Sequence, residues 1–111
     1  LGFNEPGSAF DSRTRVIDLA ESTIEDNARF FGGASDVPTQ AVTQGLGTIR
    51  EARELIVIAM GEGKADAVAA SIAGEPSIDM PGSAVQSHPN VVWCLDEAAA
   101  AQLVADGVAA H

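Results

Sequence analysis

Glu5 is the residue in this sequence best placed for acid–base chemistry, because it lies in the polar run NEPGS at 4–8, directly before a proline. That run has neither the alternation of a strand nor the three-to-four-residue period of a helix. Loops of this kind often carry binding and catalytic residues. A carboxylate fixed there could exchange protons with a substrate, and a glutamate on a loop surface is an equally good interpretation.

Lys64 is the strongest candidate for holding an anion. It follows an apolar run and the turn Gly61–Gly63, and it stands at the start of an Ala-rich helical stretch. Backbone amides at such a position and an ammonium group together attract negative charge. The spacing is not that of a P-loop, since Ala65 stands where Ser or Thr would bind magnesium. A solvated lysine is the alternative interpretation.

Three arginines offer further positive charge. Arg29 follows Glu25 by four residues, so the two could form an ion pair along a helix, which is the simpler interpretation. Its guanidinium could instead reach a phosphate as a bidentate donor. Arg13 and Arg15 would share one face of a strand, where they could bind an anion or pair with neighbouring aspartates.

Composition excludes several classes of function. Sixteen acidic and six basic residues give a formal net charge of −10, which argues against nucleic acid, whose phosphates need a basic face. No apolar run approaches the ~20 residues of a membrane span. The single cysteine, Cys94, excludes an internal disulfide and fits a reducing, cytoplasmic compartment. Cys94 and Trp93 lie in an apolar run and are predicted core residues, and His88 has no second ligand at metal spacing, so no metal site is predicted.

The elements that must hold these residues alternate between strands and helices. The predicted strands cover 15–19, 41–44, 54–60 and 90–95, and the predicted helical segments cover 23–31, 47–52, 65–73, 83–87 and 97–104. The last two strands are continuous apolar runs, which predicts cover on both faces. A Ser22–Glu25 capping box begins the first helix, a turn is predicted at 36–38, and Asp96 caps the last helix. The alternation predicts an α/β fold with a mainly parallel sheet and flanking helices, in one domain at most.

The opening run LGFNEPGSAFDSRTR closely resembles a loop of the glucosamine-6-phosphate deaminase (glucosamine-6-phosphate isomerase) family. There the loop follows the catalytic Asp-Gly-His and reads [Ile/Leu]-[Ala/Gly]-Phe-Asn-Glu-Pro, then Ser-Arg-Thr-Arg. Shorter similarities follow in the family's order at Asn27–Phe31, Val37-Pro38, Thr43–Thr48, Gly63–Ala65, His88-Pro89 and Asp96–Ala98. The whole sequence, residues 1–111, is thus similar to the C-terminal portion of this family's single domain.

The resemblance implies a Rossmann-like α/β domain that is incomplete here. It also implies a reaction that turns glucosamine 6-phosphate and water into fructose 6-phosphate and ammonia, with no cofactor. In the family a His shuttles a proton at the sugar ring oxygen, assisted by the Glu of Asn-Glu-Pro, which corresponds to Glu5. A carboxylate beside an imidazole fixes its tautomer and stabilises its charged form. The family's phosphate-binding Arg and Lys correspond to Arg29 and Lys64.

The sequence also departs from the family pattern. The catalytic His would immediately precede Leu1, and further catalytic acids and an N-terminal phosphate loop would lie upstream, so the chain is expected to be an inactive C-terminal fragment. Ser8 and Arg15 match two positions of an allosteric site for N-acetylglucosamine 6-phosphate, whereas Ile17 and Asp18 replace its Lys and Thr. A β-sheet that lacks some of its strands is expected to expose a strand edge and an apolar face. The fragment is therefore expected to fold poorly on its own.

Two other functions stay open. A 6-phosphogluconolactonase shares the fold and an upstream Asp-Gly-His, although Asn4–Pro6 and Ser12–Arg15 are deaminase features. A non-catalytic sugar-phosphate-binding module is a rival of another class, since these 111 residues contain no Asp-Gly-His. The expected partner of the deaminase is a small amino-sugar phosphate, with neither nucleic acid nor a membrane, and a homo-oligomer is compatible with each function.

Overall fold

The computed structural model describes residues 1–32 and 37–108. Within these ranges the strands and α-helices are β1 (Arg15–Asp18), α1 (Glu21–Asn27), β2 (Gln40–Thr43), α2 (Leu46–Arg50), β3 (Leu55–Ala59), α3 (Ala65–Ala73), β4 (Val91–Leu95) and α4 (Ala101–Ala105). 3-10 helices cover Ala28–Phe30, Glu62–Lys64 and Pro81–Ser87. The predicted α/β class is confirmed, and the ends of each predicted strand lie within one residue of those observed. No helix in the described ranges has the length and apolarity that crossing a bilayer requires.

The strands form two separate two-stranded sheets. β3 and β4 run parallel, with Leu55 opposite Val91, and α3 lies in the connection between them, as a parallel crossover requires. β1 and β2 are antiparallel, with Arg15 opposite Thr43. A helix also connects β1 to β2, so the alternation of strands and helices could not by itself predict this direction.

Helices cover one face of the parallel sheet. Val68 and Ala69 of α3 and Leu103 of α4 are buried together, and Ala59 and Leu95 from the strand ends pack against them. Burial of such side chains is the main favourable contribution to folding. This small core therefore fixes the carboxyl ends of β3 and β4, from which the functional loops emerge.

The opposite face of the parallel sheet is exposed among the described residues. Ile56, Ile58 and Val92 are 58–70% exposed, because successive strand residues point to opposite faces and only one face meets the helices. The prediction of cover on both faces is therefore wrong for this structure. The prediction that Cys94 and Trp93 are core residues is also wrong. Both lie on β4, where Cys94 is exposed and Trp93 is only half-buried.

The first helix begins without the predicted capping box. Its N-cap is Ala20, in extended conformation, and no side chain caps the helix. Ser22 already lies inside the first turn, so its hydroxyl is not at the position from which a cap accepts a backbone N–H. After Asn27 the chain tightens into a 3-10 helix, and the predicted turn at 36–38 begins outside the described residues.

Candidate functional site

One buried side chain, Asn4, holds the opening loop (residues 1–14) in place. Asn4 is 6% exposed, and its Nδ2 donates to the carbonyl oxygens of Leu1 and Gln44, each at 2.8 Å. Its Oδ1 accepts from Arg15 Nη1 at 3.0 Å. Because Gln44 follows β2 and Arg15 opens β1, Asn4 fastens the loop to both strands of the antiparallel sheet. A buried amide with its hydrogen bonds made stabilises one loop conformation.

Two further hydrogen bonds connect the opening loop to β2 and α2. The Phe3 N–H donates to Oγ1 of the buried Thr43 at 3.0 Å. Ser12 Oγ accepts from the Leu46 N–H at 2.9 Å, which satisfies a free amide at the start of α2. A Cβ on Gly45 would collide with the Ser12 backbone, so this close approach requires glycine.

Glu5 is half-buried within this loop, and its backbone and carboxylate are fixed separately. Its carbonyl oxygen accepts from the N–H and Oγ of Ser8, at 3.1 and 2.7 Å. Gly7, with φ 95°, closes the turn in a conformation that favours glycine. Thr23 Oγ1 donates to Glu5 Oε1 at 2.7 Å. Among the described residues Oε2 has no hydrogen-bond partner, so one carboxylate oxygen is available for chemistry.

Ser8 and Arg15 are brought together beside Glu5. Arg15 Nη2 lies 3.4 Å from Ser8 Oγ, and Arg15 Nη1 also donates to the Arg13 carbonyl oxygen at 3.2 Å. Within the part of the chain that the structure describes, Arg15 donates only to uncharged oxygens, so its charge is not neutralised by a carboxylate. The adjoining cavity, the Glu5 cleft, has a volume of about 430 Å³ and is lined by Phe3, Glu5–Ala9, Ser12, Arg15, Ile17 and Asp18.

Lys64 ends the 3-10 helix that follows β3, and it is exposed. Gly61, with φ 93°, opens this turn and accepts the Lys64 N–H at 3.1 Å. Asp96, directly after β4, accepts the Gly61 N–H with both carboxylate oxygens at 3.1 Å and the Ala99 N–H at 2.8 Å. These hydrogen bonds, that of Ala99 first, lower the pKa of Asp96. The prediction that Asp96 caps the last helix is wrong, because α4 begins at Ala101 with Ala100 as its N-cap, and the hydrogen bond from Ala99 to Asp96 lies in the turn before it.

Asp96 therefore joins the carboxyl ends of the two parallel strands and fixes the turn that carries Lys64. Open α/β sheets bind their ligands at this edge. A second cavity, the Lys64 cleft, opens there with a volume of about 550 Å³ and is lined by Leu1, Asn4, Pro6, Val57–Met60, Lys64, Ala67, Val68, Ser71, Met80–Gly82 and Trp93.

The Glu5 and Lys64 clefts adjoin each other across the opening loop. Pro6 lines both cavities. Leu1 and Asn4 also line the Lys64 cleft, and Phe3 lines the Glu5 cleft. The two clefts thus flank one short stretch of chain, residues 1–6.

Arg29 lines neither cleft. It is exposed in the 3-10 helix after α1, with its guanidinium carbon 4.6 Å from the centroid of the Phe30 ring, within the range of cation–π attraction. The predicted Glu25–Arg29 ion pair is not formed, because the 3-10 turn removes the α-helical spacing that would bring the two side chains together.

The other predicted arginine pairings also differ. Within residues 1–32 and 37–108 the only ion pair joins Arg13 to Glu51 at 2.7 Å, so Arg13 does not pair with a neighbouring aspartate. The hydrogen bond between them raises the pKa of Arg13 and lowers that of Glu51. Both side chains are exposed, and solvent-screened pairs of this kind contribute little to stability.

His88 bridges two loops. Its Nδ1 accepts from the Asn90 N–H at 3.0 Å, so the ring proton belongs to Nε2, which donates to the Ala52 carbonyl oxygen at 2.6 Å. Both nitrogens are therefore occupied in connecting the segments that precede β3 and β4.

Two residues that fix the site were not identified from the sequence. Thr23 appeared only as part of a predicted capping box, and Asn4 only as a neighbour of Glu5. Their contacts join residues 18 and 40 positions apart, and no local pattern shows contacts of that range.

The sequence matches a known family along most of its length. A profile described as "Glucosamine-6-phosphate isomerases/6-phosphogluconolactonase" matches residues 15–93. The glucosamine-6-phosphate deaminase of Rhodopirellula baltica is 56% identical over 103 residues, which cover 93% of this chain and 41% of the relative. That of Leuconostoc citreum is 52% identical over 103 residues, covering 93% and 44%.

A solved structure is similar as well. A monomeric glucosamine-6-phosphate deaminase of the NagB superfamily superposes with a TM-score of 0.86 at 40% identity, covering 90% of this chain and 42% of the other. The chain thus spans about two-fifths of the length of the relatives it matches, which agrees with a partial domain.

Proposed function

The chain belongs to the family of glucosamine-6-phosphate isomerases and 6-phosphogluconolactonases, and we propose that the protein carrying it is a glucosamine-6-phosphate deaminase. It would convert glucosamine 6-phosphate and water into fructose 6-phosphate and ammonia, in cytoplasmic amino-sugar catabolism. The observation that carries this proposal is that deaminases match 93% of the chain at 52–56% identity. Because the chain spans two-fifths of them, the activity is proposed for the whole protein.

In this proposal Glu5 assists opening of the sugar ring. Opening transfers a proton to the ring oxygen and removes one from the C1 hydroxyl, and a carboxylate working with an imidazole can serve both atoms. The half-buried position of Glu5 beside a cleft supports this role, as does the bond that fixes Oε1. Oε2, which has no hydrogen-bond partner in the ranges that the structure describes, is left for the substrate.

The resemblance implies that the imidazole comes from the residue before Leu1. His88 is the one histidine in the described ranges, and its two nitrogens are bonded to Ala52 and Asn90. Its proton could move only if that bridge broke. We therefore expect the 111-residue chain alone to be inactive.

Arg29 and Lys64 would bind the substrate phosphate. A chain with a net charge of −10 repels anions at long range, so a phosphate needs cations placed close to it. Lys64 lines a cleft that adjoins Glu5, and the guanidinium of Arg29 pairs with no carboxylate among the described residues. Ser8 and Arg15 match two positions of an activator site, but Ile17 and Asp18 line the same cleft in place of that site's Lys and Thr, so we do not expect activation.

Measuring two products separates the alternatives. The protein expressed from its complete reading frame should release ammonia from glucosamine 6-phosphate and should not hydrolyse 6-phosphogluconolactone. Lys64→Gln and Arg29→Gln should each raise KM about tenfold or more, because a charge-assisted hydrogen bond is lost. Arg53→Gln is the matched control, since Arg53 is exposed and its side chain makes no hydrogen bond in the described ranges.

Each of the other outcomes would support a different function. Lactone hydrolysis without ammonia would make the protein a 6-phosphogluconolactonase, the second activity in the family's description. Sugar-phosphate binding with no turnover of either substrate would make it a binding module.

A further inference from the structure

We propose that Thr23 is a positioning residue that sets the Glu5 carboxylate for proton transfer. This inference deepens the proposed function and rests on it. Thr23 Oγ1 donates to Glu5 Oε1 at 2.7 Å across 18 positions of sequence, and both residues are half-buried. A hydroxyl donating to a carboxylate at this distance is a strong, charge-assisted hydrogen bond.

The carboxylate depends on this one contact for its orientation. The Glu5 backbone is anchored through Ser8, whose N–H and Oγ both donate to the Glu5 carbonyl. That anchor leaves the side-chain torsions free. Among the described residues, Thr23 is the sole hydrogen-bond donor to the carboxylate, so this bond favours one of the rotamers that a long side chain would otherwise populate.

Thr23 is itself firmly held. It lies in the first turn of α1, and its carbonyl oxygen accepts from Asn27 Nδ2 at 2.8 Å. A threonine side chain commonly bonds a backbone group close to it in sequence. Here the hydroxyl leaves its own helix for a side chain of the opening loop, which indicates a tertiary role.

The contact also joins two proposed parts of the reaction centre. Arg29 lies six positions after Thr23, in the 3-10 helix that continues α1 directly. One short segment therefore carries both the donor to the Glu5 carboxylate and a proposed phosphate-binding cation. The hydroxyl that orients the acid and the cation proposed to bind phosphate therefore lie on one continuous helical segment.

Removing only the hydroxyl tests this role in the protein expressed from its complete reading frame. Thr23→Val should lower kcat about tenfold or more, the loss expected for a hydrogen bond to a charged group. KM and the inhibition constant of inorganic phosphate should change less than twofold, since a loss confined to kcat reports an interaction used in the transition state. Thr23→Ser keeps the hydroxyl and should restore kcat to within about threefold. Ser22→Ala, an exposed neighbour on the same helix, should behave as the unchanged protein.

A double-mutant cycle separates positioning from general destabilisation. In the Glu5→Gln background the Thr23→Val change should have little further effect on kcat, because the group that it positions is gone. Should Thr23→Val fold poorly, Thr23→Ala and Thr23→Ser in the same cycle give the same information.

Distinct results overturn distinct claims. Equal losses in Thr23→Val and Thr23→Ser, an unchanged kcat in Thr23→Val, or a rise in KM alone would each refute the role of Thr23. Full activity in Glu5→Gln would instead refute the catalytic role of Glu5 itself.

Discussion

Single residues fix this site through contacts that reach across the chain. Asp96 is the clearest case, because one carboxylate accepts from Gly61 and Ala99 and so determines the turn that ends at Lys64. Hydrogen bonds to the charged form stabilise it, which is why the pKa of Asp96 is lowered. A lowered native pKa also links this carboxylate to the pH dependence of stability.

Replacing Asp96 by Asn should therefore have a pH-dependent cost. A carboxylate whose native pKa lies below its unfolded value, about 3.9, contributes stability that is fully present above that value. The contribution is lost as the pH falls through the native pKa. Denaturant unfolding between about pH 2 and pH 7 should show the unchanged protein more stable than Asp96→Asn near neutrality, with the difference vanishing toward the acid end. A difference that stays constant over this range would contradict the role assigned to the charge.

Some of the residues that fix the site could be predicted from the sequence, and others could not. Asp96 was predicted as a helix cap, since an aspartate directly before a helical stretch is a local signal, but the N–H that it binds lies in the turn before α4. Its hydrogen bonds to Gly61 join residues 35 positions apart, and no local sequence pattern indicates them. Glu5 and Lys64 were predicted from their residue type and the turns beside them. Thr23 was not predicted, because its partner is determined by tertiary packing.

At the level of elements, hydrophobic runs located the strands but did not determine their surroundings. The runs at 54–60 and 90–95 gave β3 and β4 to within a residue, and the register aligns Leu55 with Val91. A continuous apolar run shows that both faces are apolar, yet it does not show what packs on each face. Ile58 and Val92 therefore proved exposed although cover was predicted.

This uncovered sheet face should make the 111-residue chain associate with itself. Exposed apolar surface and unpaired strand edges favour contact between copies. Sedimentation of the isolated chain should show oligomers or aggregates, and Ile58→Lys should reduce them because it places a charge on the face. Val104→Lys changes an equally exposed residue of α4 and should have a smaller effect. A cooperative thermal transition of a monomeric wild-type chain would contradict this expectation.

Across the whole molecule, the opening loop connects parts that are distant in sequence. Asn4 ties it to both strands of the antiparallel sheet, and the Gly7 N–H donates to the Ile78 carbonyl at 2.7 Å, near the Lys64 cleft. The loop thus separates the Glu5 cleft from the Lys64 cleft while forming a wall of each. An acid that lines one cleft and a cation that lines the other suit the proposed substrate, which has a reactive ring and a terminal phosphate.

The most direct test of this account is a crystal structure of the Glu5→Gln variant of the complete protein with glucosamine 6-phosphate bound. The account predicts that the side chain at position 5 faces the sugar ring oxygen, hydrogen-bonded to Thr23, with the phosphate within hydrogen-bond distance of Lys64 Nζ and the Arg29 guanidinium. A phosphate bound elsewhere, or a side chain at position 5 directed away from the ring, would contradict it.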